Sequence, residues 1–316
     1  MNTPDIFSIV KAAIKIAPYI NDTPIITSSY ITQITNASIF FKCENFQKTG
    51  SFKIRGATNA IMSLHDNQLV NGVATHSSGN HASALAKAAS IKKCKAYIVM
   101  PKNSSKIKCE AVKYYGGDII YCEPTLKSRE ETLKQVIENT GAIEIHPYNN
   151  YNIIAGQATA ALEFIKNINH LNLIITPVGG GGLLSGTAIA IKQLSPNTKV
   201  IGAEPITVND AFLSFYSGEL HPPTNVNTIA DGLRTSLGDL TFNIIRNKVD
   251  DIITVSEEAI IEAMKLIWTR MKIIIEPSAA VCLAILLEKK IEYKNMKIGI
   301  ILSGGNVDIY NLPWSK

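Results

Sequence analysis

Lys53 is the residue of this chain best placed for covalent chemistry. It follows the turn Thr49-Gly50-Ser51 and stands between Phe52 and Ile54, in the first turn of an expected helix. A strand-like run, Ile39-Phe40-Phe41, leads toward that turn, whose hydroxyls have capping chemistry. A cation is disfavoured there twice. The helix macrodipole opposes it, apolar neighbours penalise the charged form, and both effects lower the amine's pKa. An amine with a depressed pKa attacks carbonyl compounds. Taken alone, Lys53 reads as an ordinary lysine with its head in water; other stretches supply what a lysine-bound cofactor needs.

The first of these is Gly179-Gly180-Gly181-Gly182, between the apolar strand 173–178 and an apolar helix from Leu183. Bare backbone lets several N–H groups converge, and the helix N-terminus favours a dianion. A dinucleotide fingerprint needs a third glycine where Leu184 or Ser185 stands, and a Walker loop opening at Gly181 needs lysine where Thr187 stands. A phosphate cradle without nucleotide features remains, against a tight helix–strand crossing. Ser77-Ser78-Gly79-Asn80-His81 marks another strand-to-helix turn and suits a carboxylate, although helix capping and a structural histidine are the better account when it is taken alone. Ser303-Gly304-Gly305-Asn306 places a hydroxyl after the last strand, where open α/β sheets bind ligands. Glu204 and Asp210 flank a proline-containing turn, and with an intervening carbonyl they could hold a hard divalent cation; solvated loop acids are the alternative.

The elements around these residues alternate. A helix is expected to open at Thr3-Pro4-Asp5 and to stop at Pro18, and 25–33 with 37–43 read as a β-hairpin across Thr35-Asn36. The helix carrying Lys53 runs to about Leu64. Four short strands then alternate with helices up to 145, and a second, larger alternation follows from 149 to 302. The fold class is therefore α/β, with doubly wound units. The stretch 171–191 carries no charge, but Pro177 and the four glycines make it a strand, turn and buried helix rather than a membrane span.

The 316 residues are 46% apolar and 18% charged, the composition of a well-buried globular protein. A net charge of +5, with scattered Lys and Arg, gives little support to nucleic-acid or membrane-surface binding. Five cysteines without CxxC spacing, and no signal-peptide pattern, read as a reduced, cytoplasmic protein.

Together, 42–57, 77–81, the tetraglycine, Ala230-Asp231-Gly232 and 303–306 resemble the fold type II pyridoxal-phosphate enzymes. Within them the chain is most similar to the serine racemase and serine/threonine dehydratase branch, on the racemase side because Ser78 stands where biosynthetic threonine dehydratases carry alanine. The resemblance spans nearly the whole chain. It implies two α/β domains with the active site in the cleft between them: 1–67 with 149–316 as a large cofactor-binding domain, and 68–148 as a small mobile one. It implies that Lys53 carries pyridoxal 5'-phosphate and serves as base at Cα, flanked by Phe52 and Asn80. Gly179, Gly180, Gly181 and Gly182 would hold the phosphate, and Ser303 would face the pyridine nitrogen. Ser77, Ser78, Asn80 and His81 would take the substrate carboxylate, with Arg129 joining on closure. Ser78 would be the second acid–base group.

Glu204, Asp210 and the Val208 carbonyl match a site for Mg²⁺, or for Ca²⁺ or Mn²⁺. Tyr115, Lys272 and Asn306 match positions that bind nucleotide at a homodimer interface, which makes ATP a candidate activator, although Ser83 departs from the glutamine of that pattern. The activity so implied is racemisation of L-serine together with ammonia-lyase action on L-serine or L-threonine. A dedicated dehydratase for L-serine, L-threonine or 3-hydroxyaspartate is the alternative. β-Replacement on the same fold, and a binding protein that has lost its chemistry, are the outlying readings.

Overall fold

The computed structural model describes residues 3–223 and 225–315. Helix α1 (Ile6–Ile16) is capped by Asp5, whose Oδ1 accepts from Ser8 N at 2.8 Å, so the cap lies two residues later than Thr3. Strand β1 (Ile25–Ile26) pairs antiparallel with β2 (Ser38–Cys43), but no hairpin joins them. Helix α2 (Ser29–Thr35) intervenes, capped by the Ser28 hydroxyl on Ile31 N and closed by Asn36 at φ 52°. The β-branched run 25–33 has strand composition, and these two local caps override it.

Helix α3 (Lys53–Met62) carries the lysine. It has no side-chain cap: Phe52 is already in helical geometry and its N–H donates to Ser303 O at 3.0 Å, while Ser51 bridges Gly304. The expected capping by the 49–51 turn is therefore replaced by a long-range tie. Next come β3 (Val73–His76), α4 (Asn80–Ile91), β4 (Ala96–Pro101), α5 (Lys106–Tyr114), β5 (Asp118–Cys122), α6 (Leu126–Thr140) and β6 (Ile143–Glu144). Then follow α7 (Tyr151–Asn167), β7 (Leu173–Pro177), α8 (Gly182–Leu194), β8 (Lys199–Pro205) and α9 (Asp210–Ser217). Helix α10 (Asp239–Lys248), β9 (Asp251–Val255), α11 (Glu257–Met271), α12 (Pro277–Leu287) and β10 (Lys297–Leu302) complete the chain. Helix α10 is not among the elements expected from the sequence, although Leu240, Phe242, Ile244 and Ile245 all pack into the core of the larger sheet.

Two sheets result, ordered β1-β2-β10-β7-β8-β9 and β5-β4-β3-β6. Every pairing except β1 with β2 is parallel, the signature of a doubly wound fold with helices on both faces. Register sets Leu302 beside Cys43, so the turns after β2, β10 and β7 leave the larger sheet at one edge, the carboxyl ends of its strands.

Helix α3 lies on the seam of two cores. Phe52 packs against the core of the larger sheet with Ile174 and Leu183, and Ile54 belongs to the core of the smaller one with Leu85 and Ile98. Arg55, fully buried, fixes the helix. It donates to Glu44 at 2.7 and 2.8 Å and to Glu163 at 2.6 and 2.7 Å, tying α3 to the turn after β2 and to α7. Lys42 joins the cluster through Glu163 at 2.6 Å. Helices α3 and α7 cross so closely that a Cβ on Gly156 would lie 2.6 Å from Gly56 Cα. Among the described residues no helix is long and apolar enough to cross a membrane.

Candidate active site

Lys53 is half-buried, and its Nζ donates to Pro147 O at 3.0 Å. Desolvation draws its pKa down to about 8, although the field of Glu276 pulls the other way. The amine lies 5.3 Å from the centre of the Phe52 ring. At the carboxyl end of β7 the four glycines are buried, and Gly181 turns through φ +82° to start α8. A Cβ on Gly180 would come within 2.2 Å of the Tyr148 ring, so only bare backbone fits beneath that ring. Ser303, buried at the end of β10, shares the edge with Lys53 through the Phe52 bond. A depressed amine, a glycine cradle on a helix of 13 residues and a buried hydroxyl fit the aldehyde, phosphate and ring nitrogen of pyridoxal phosphate.

Facing them from the smaller sheet is the turn after β3. Gly79 N reaches Ser77 Oγ at 3.5 Å, and Ser78 is half-buried with its hydroxyl free of protein partners among the described residues. His81 is buried, with Nε2 3.2 Å from Ile145 O and Nδ1 without a partner. Burial, reinforced by the charge of Lys53, holds this imidazole neutral. Among the described residues the Arg129 side chain, on α6, bonds only its own turn, Nε to Thr125 O at 3.5 Å.

Sequence reasoning missed Glu276. It is 3% exposed, and its Oε1 accepts from Asn80 Nδ2 at 2.8 Å. Asn80 Oδ1 accepts in turn from Asn306 Nδ2 at 2.9 Å. Desolvation and nearby Asp231 push the Glu276 carboxyl up to about 8. A lone acid between the apolar run 273–275 and a proline that opens a helix was the available signal. The wall 145–148 was also missed: Ile145 O meets His81, Pro147 O meets Lys53, and the His146 and Tyr148 rings lie edge to face at 4.6 Å. Only the fold brings these residues to Lys53.

Farther out, Glu204 caps α9, its two oxygens accepting from Ala211 N at 2.9 Å and Phe212 N at 2.8 Å. Both Asp210 oxygens are buried without a partner, and desolvation raises this carboxyl to about 6. Val208 ends a short turn between them. Among the described residues no three His, Cys, Asp or Glu side chains cluster as metal ligands, so any cation here rests on two carboxylates and backbone. The Tyr115 hydroxyl donates to Lys48 O at 3.1 Å and Asn306 Nδ2 to the adjacent Thr49 O at 2.8 Å, whereas Lys272 bonds Thr269 O on its own helix.

Residues 16–304 match the family described as pyridoxal-phosphate dependent enzyme. The chain belongs to that family. Among the members it resembles is the serine racemase of Dictyostelium discoideum, 49% identical over 316 residues, covering 99% of this chain and 98% of that one. The β-hydroxyaspartate dehydratase of Paracoccus denitrificans (strain Pd 1222) is 45% identical over 315 residues, with both chains covered completely. The structure of maize serine racemase superposes with a TM-score of 0.95 at 46% identity, covering 98% of this chain and 95% of that one. This pyridoxal-phosphate enzyme therefore has the fold type II architecture, and it sits among racemases and dehydratases.

Proposed function

We propose that this enzyme removes the Cα proton of L-serine and then either returns it from the opposite face or expels the β-hydroxyl, yielding D-serine or pyruvate and ammonia. The observation that carries this reading is the Lys53 amine, held with a pKa of about 8 at the seam of the two cores. The half-buried Ser78 hydroxyl, without a protein partner among the described residues, supports the second face. Pyridoxal phosphate, when bound, delocalises the electron pair left as the Cα–H bond breaks. Lys53 holds the cofactor and takes the proton from one face. Ser78, at the start of α4 where the helix terminus favours an anionic oxygen, serves the other face. The 77–81 turn binds the substrate carboxylate, and Arg129 closes over it. Residues 68–148 act as the mobile domain, hinged against the large domain formed by 1–67 and 149–316. Glu204, Asp210 and the Val208 carbonyl hold Mg²⁺ or a related cation, for which the two orphaned Asp210 oxygens are the support. The enzyme works as a cytoplasmic homodimer, and ATP bound by Tyr115, Lys272 and Asn306 is its candidate activator.

The second reading is a dehydratase for β-hydroxyaspartate, favoured by full-length similarity at 45% identity to an enzyme of that name. One assay separates the two. D-serine and pyruvate are followed from L-serine, 2-oxobutyrate from L-threonine and oxaloacetate from 3-hydroxyaspartate, with and without Mg²⁺ and ATP. D-serine formation that disappears in Ser78→Ala, while pyruvate from L-serine largely persists, supports the racemase. Absence of D-serine from the wild-type enzyme excludes it.

A further inference from the structure

The His146 ring is fixed by its own turn. Its Nδ1 accepts from Asn149 N at 2.9 Å and from Tyr148 N at 3.3 Å. A nitrogen that accepts two N–H groups carries no proton, so the ring proton sits on Nε2. The ring is half-buried, and among the described residues its Nε2 edge makes no hydrogen bond to protein. Burial and the nearby charges of His76 and Lys53 hold its pKa down to about 4, with Asp239 the one opposing charge. The imidazole is thus neutral and points a single N–H away from its turn. His146 stands between Ile145, whose carbonyl meets His81, and Pro147, whose carbonyl meets Lys53. The His76 ring, at the foot of the 77–81 turn, faces it edge on at 6.1 Å.

We infer that His146 Nε2–H donates to the β-oxygen of the substrate and sets the orientation of the Cβ–O bond. This rests on the reading of the enzyme as acting on β-hydroxy α-amino acids. Elimination needs that bond held perpendicular to the plane of the conjugated carbanion, whereas exchange or inversion at Cα does not. Losing the donor therefore costs elimination more than proton abstraction. The edge-on packing of His76 and Tyr148 around the ring leaves little freedom to swing, which suits a fixed donor.

His146→Asn keeps an acceptor where Nδ1 stood, preserving the turn, and removes the Nε2 donor. His146→Gln does the reverse. In deuterated buffer, holoenzyme with L-serine gives two rates: deuterium entry at Cα and pyruvate formation. The ratio of pyruvate formation to exchange should fall about tenfold in His146→Asn, the worth of one neutral hydrogen bond, with little change in exchange or melting temperature. It should hold in His146→Gln. An unchanged ratio in His146→Asn, or a fall in His146→Gln alone, would make the ring a turn cap and overturn the inference. Ring-nitrogen NMR shifts give a readout independent of turnover: protonation at Nε2 from about pH 6 to about pH 9 is expected, and an Nδ1 proton overturns it. A wild-type enzyme that neither exchanges nor eliminates would overturn the parent reading, and this one with it.

Discussion

Asn80 and Glu276, 196 residues apart, meet through a 2.8 Å hydrogen bond that joins the turn after β3 to the turn before α12. The bond reaches from one sheet to the other, and it ends on a carboxyl that burial holds at about 8. Asn306 completes the chain by donating to Asn80, so Asn80 is held from both sides before any ligand arrives.

That carboxyl carries a pH signature. Its folded pKa, about 8, lies above the ordinary 4.5, so the folded state binds the extra proton between those values. The stabilisation is complete below pH 4.5 and is lost as pH rises through about 8. Glu276→Gln keeps an acceptor for Asn80 and has nothing to ionise. Its melting temperature should gain on that of wild type steadily from pH 5 to pH 8.5, by several degrees in all (roughly, from a shift of this size). A gap that stays constant with pH would show that Glu276 titrates normally.

Gly180 should tolerate no side chain. The Cβ of Gly180→Ala would lie 2.2 Å from the Tyr148 ring, and relief costs about 1–3 kcal/mol of overpacking. Lower thermal stability and faster loss of bound pyridoxal phosphate on dialysis are expected. Shrinking the neighbour in a Tyr148→Ala, Gly180→Ala double variant should recover stability relative to the sum of the singles. Strict additivity would place the strain elsewhere.

Much of this site was legible because its parts are local. A strand, a glycine turn and a helix start lie within a dozen residues around Lys53 and again around Gly181, so spacing singled out both stretches, while their roles came from the family resemblance. The 25–36 segment failed for a local reason of a different kind. Ser28 and Asn36 supply caps that turn a β-branched run into helix α2. Glu276 and His146 were invisible because nothing adjacent in sequence explains them: one reaches Asn80 and the other comes within the field of Lys53 only after both sheets have formed. The burial of Arg55 was equally hidden, since Glu44 and Glu163 come to it from separate elements.

Asp210 offers two buried, unpartnered oxygens beside a Glu204 whose carboxyl burial raises strongly. A bound divalent cation would compensate both. Chelation with EDTA should lower the melting temperature by several degrees (about 2 kcal/mol or less for a site of two carboxylates at modest occupancy), and Mg²⁺ or Ca²⁺ should restore it. Asp210→Asn should remove the response. Identical melting curves with and without chelator, in protein shown by elemental analysis to be metal-free, would argue that the pair binds no cation.

The central claim is that Lys53 carries the cofactor. Borohydride reduction of the holoenzyme, followed by peptide mass mapping, reads the attachment point directly. The mass of one reduced pyridoxal phosphate should appear on the peptide containing Lys53 and on no other, and Lys53→Ala should take up no label and lose nearly all turnover of L-serine. Label on a different lysine, or wild-type turnover in Lys53→Ala, would contradict it.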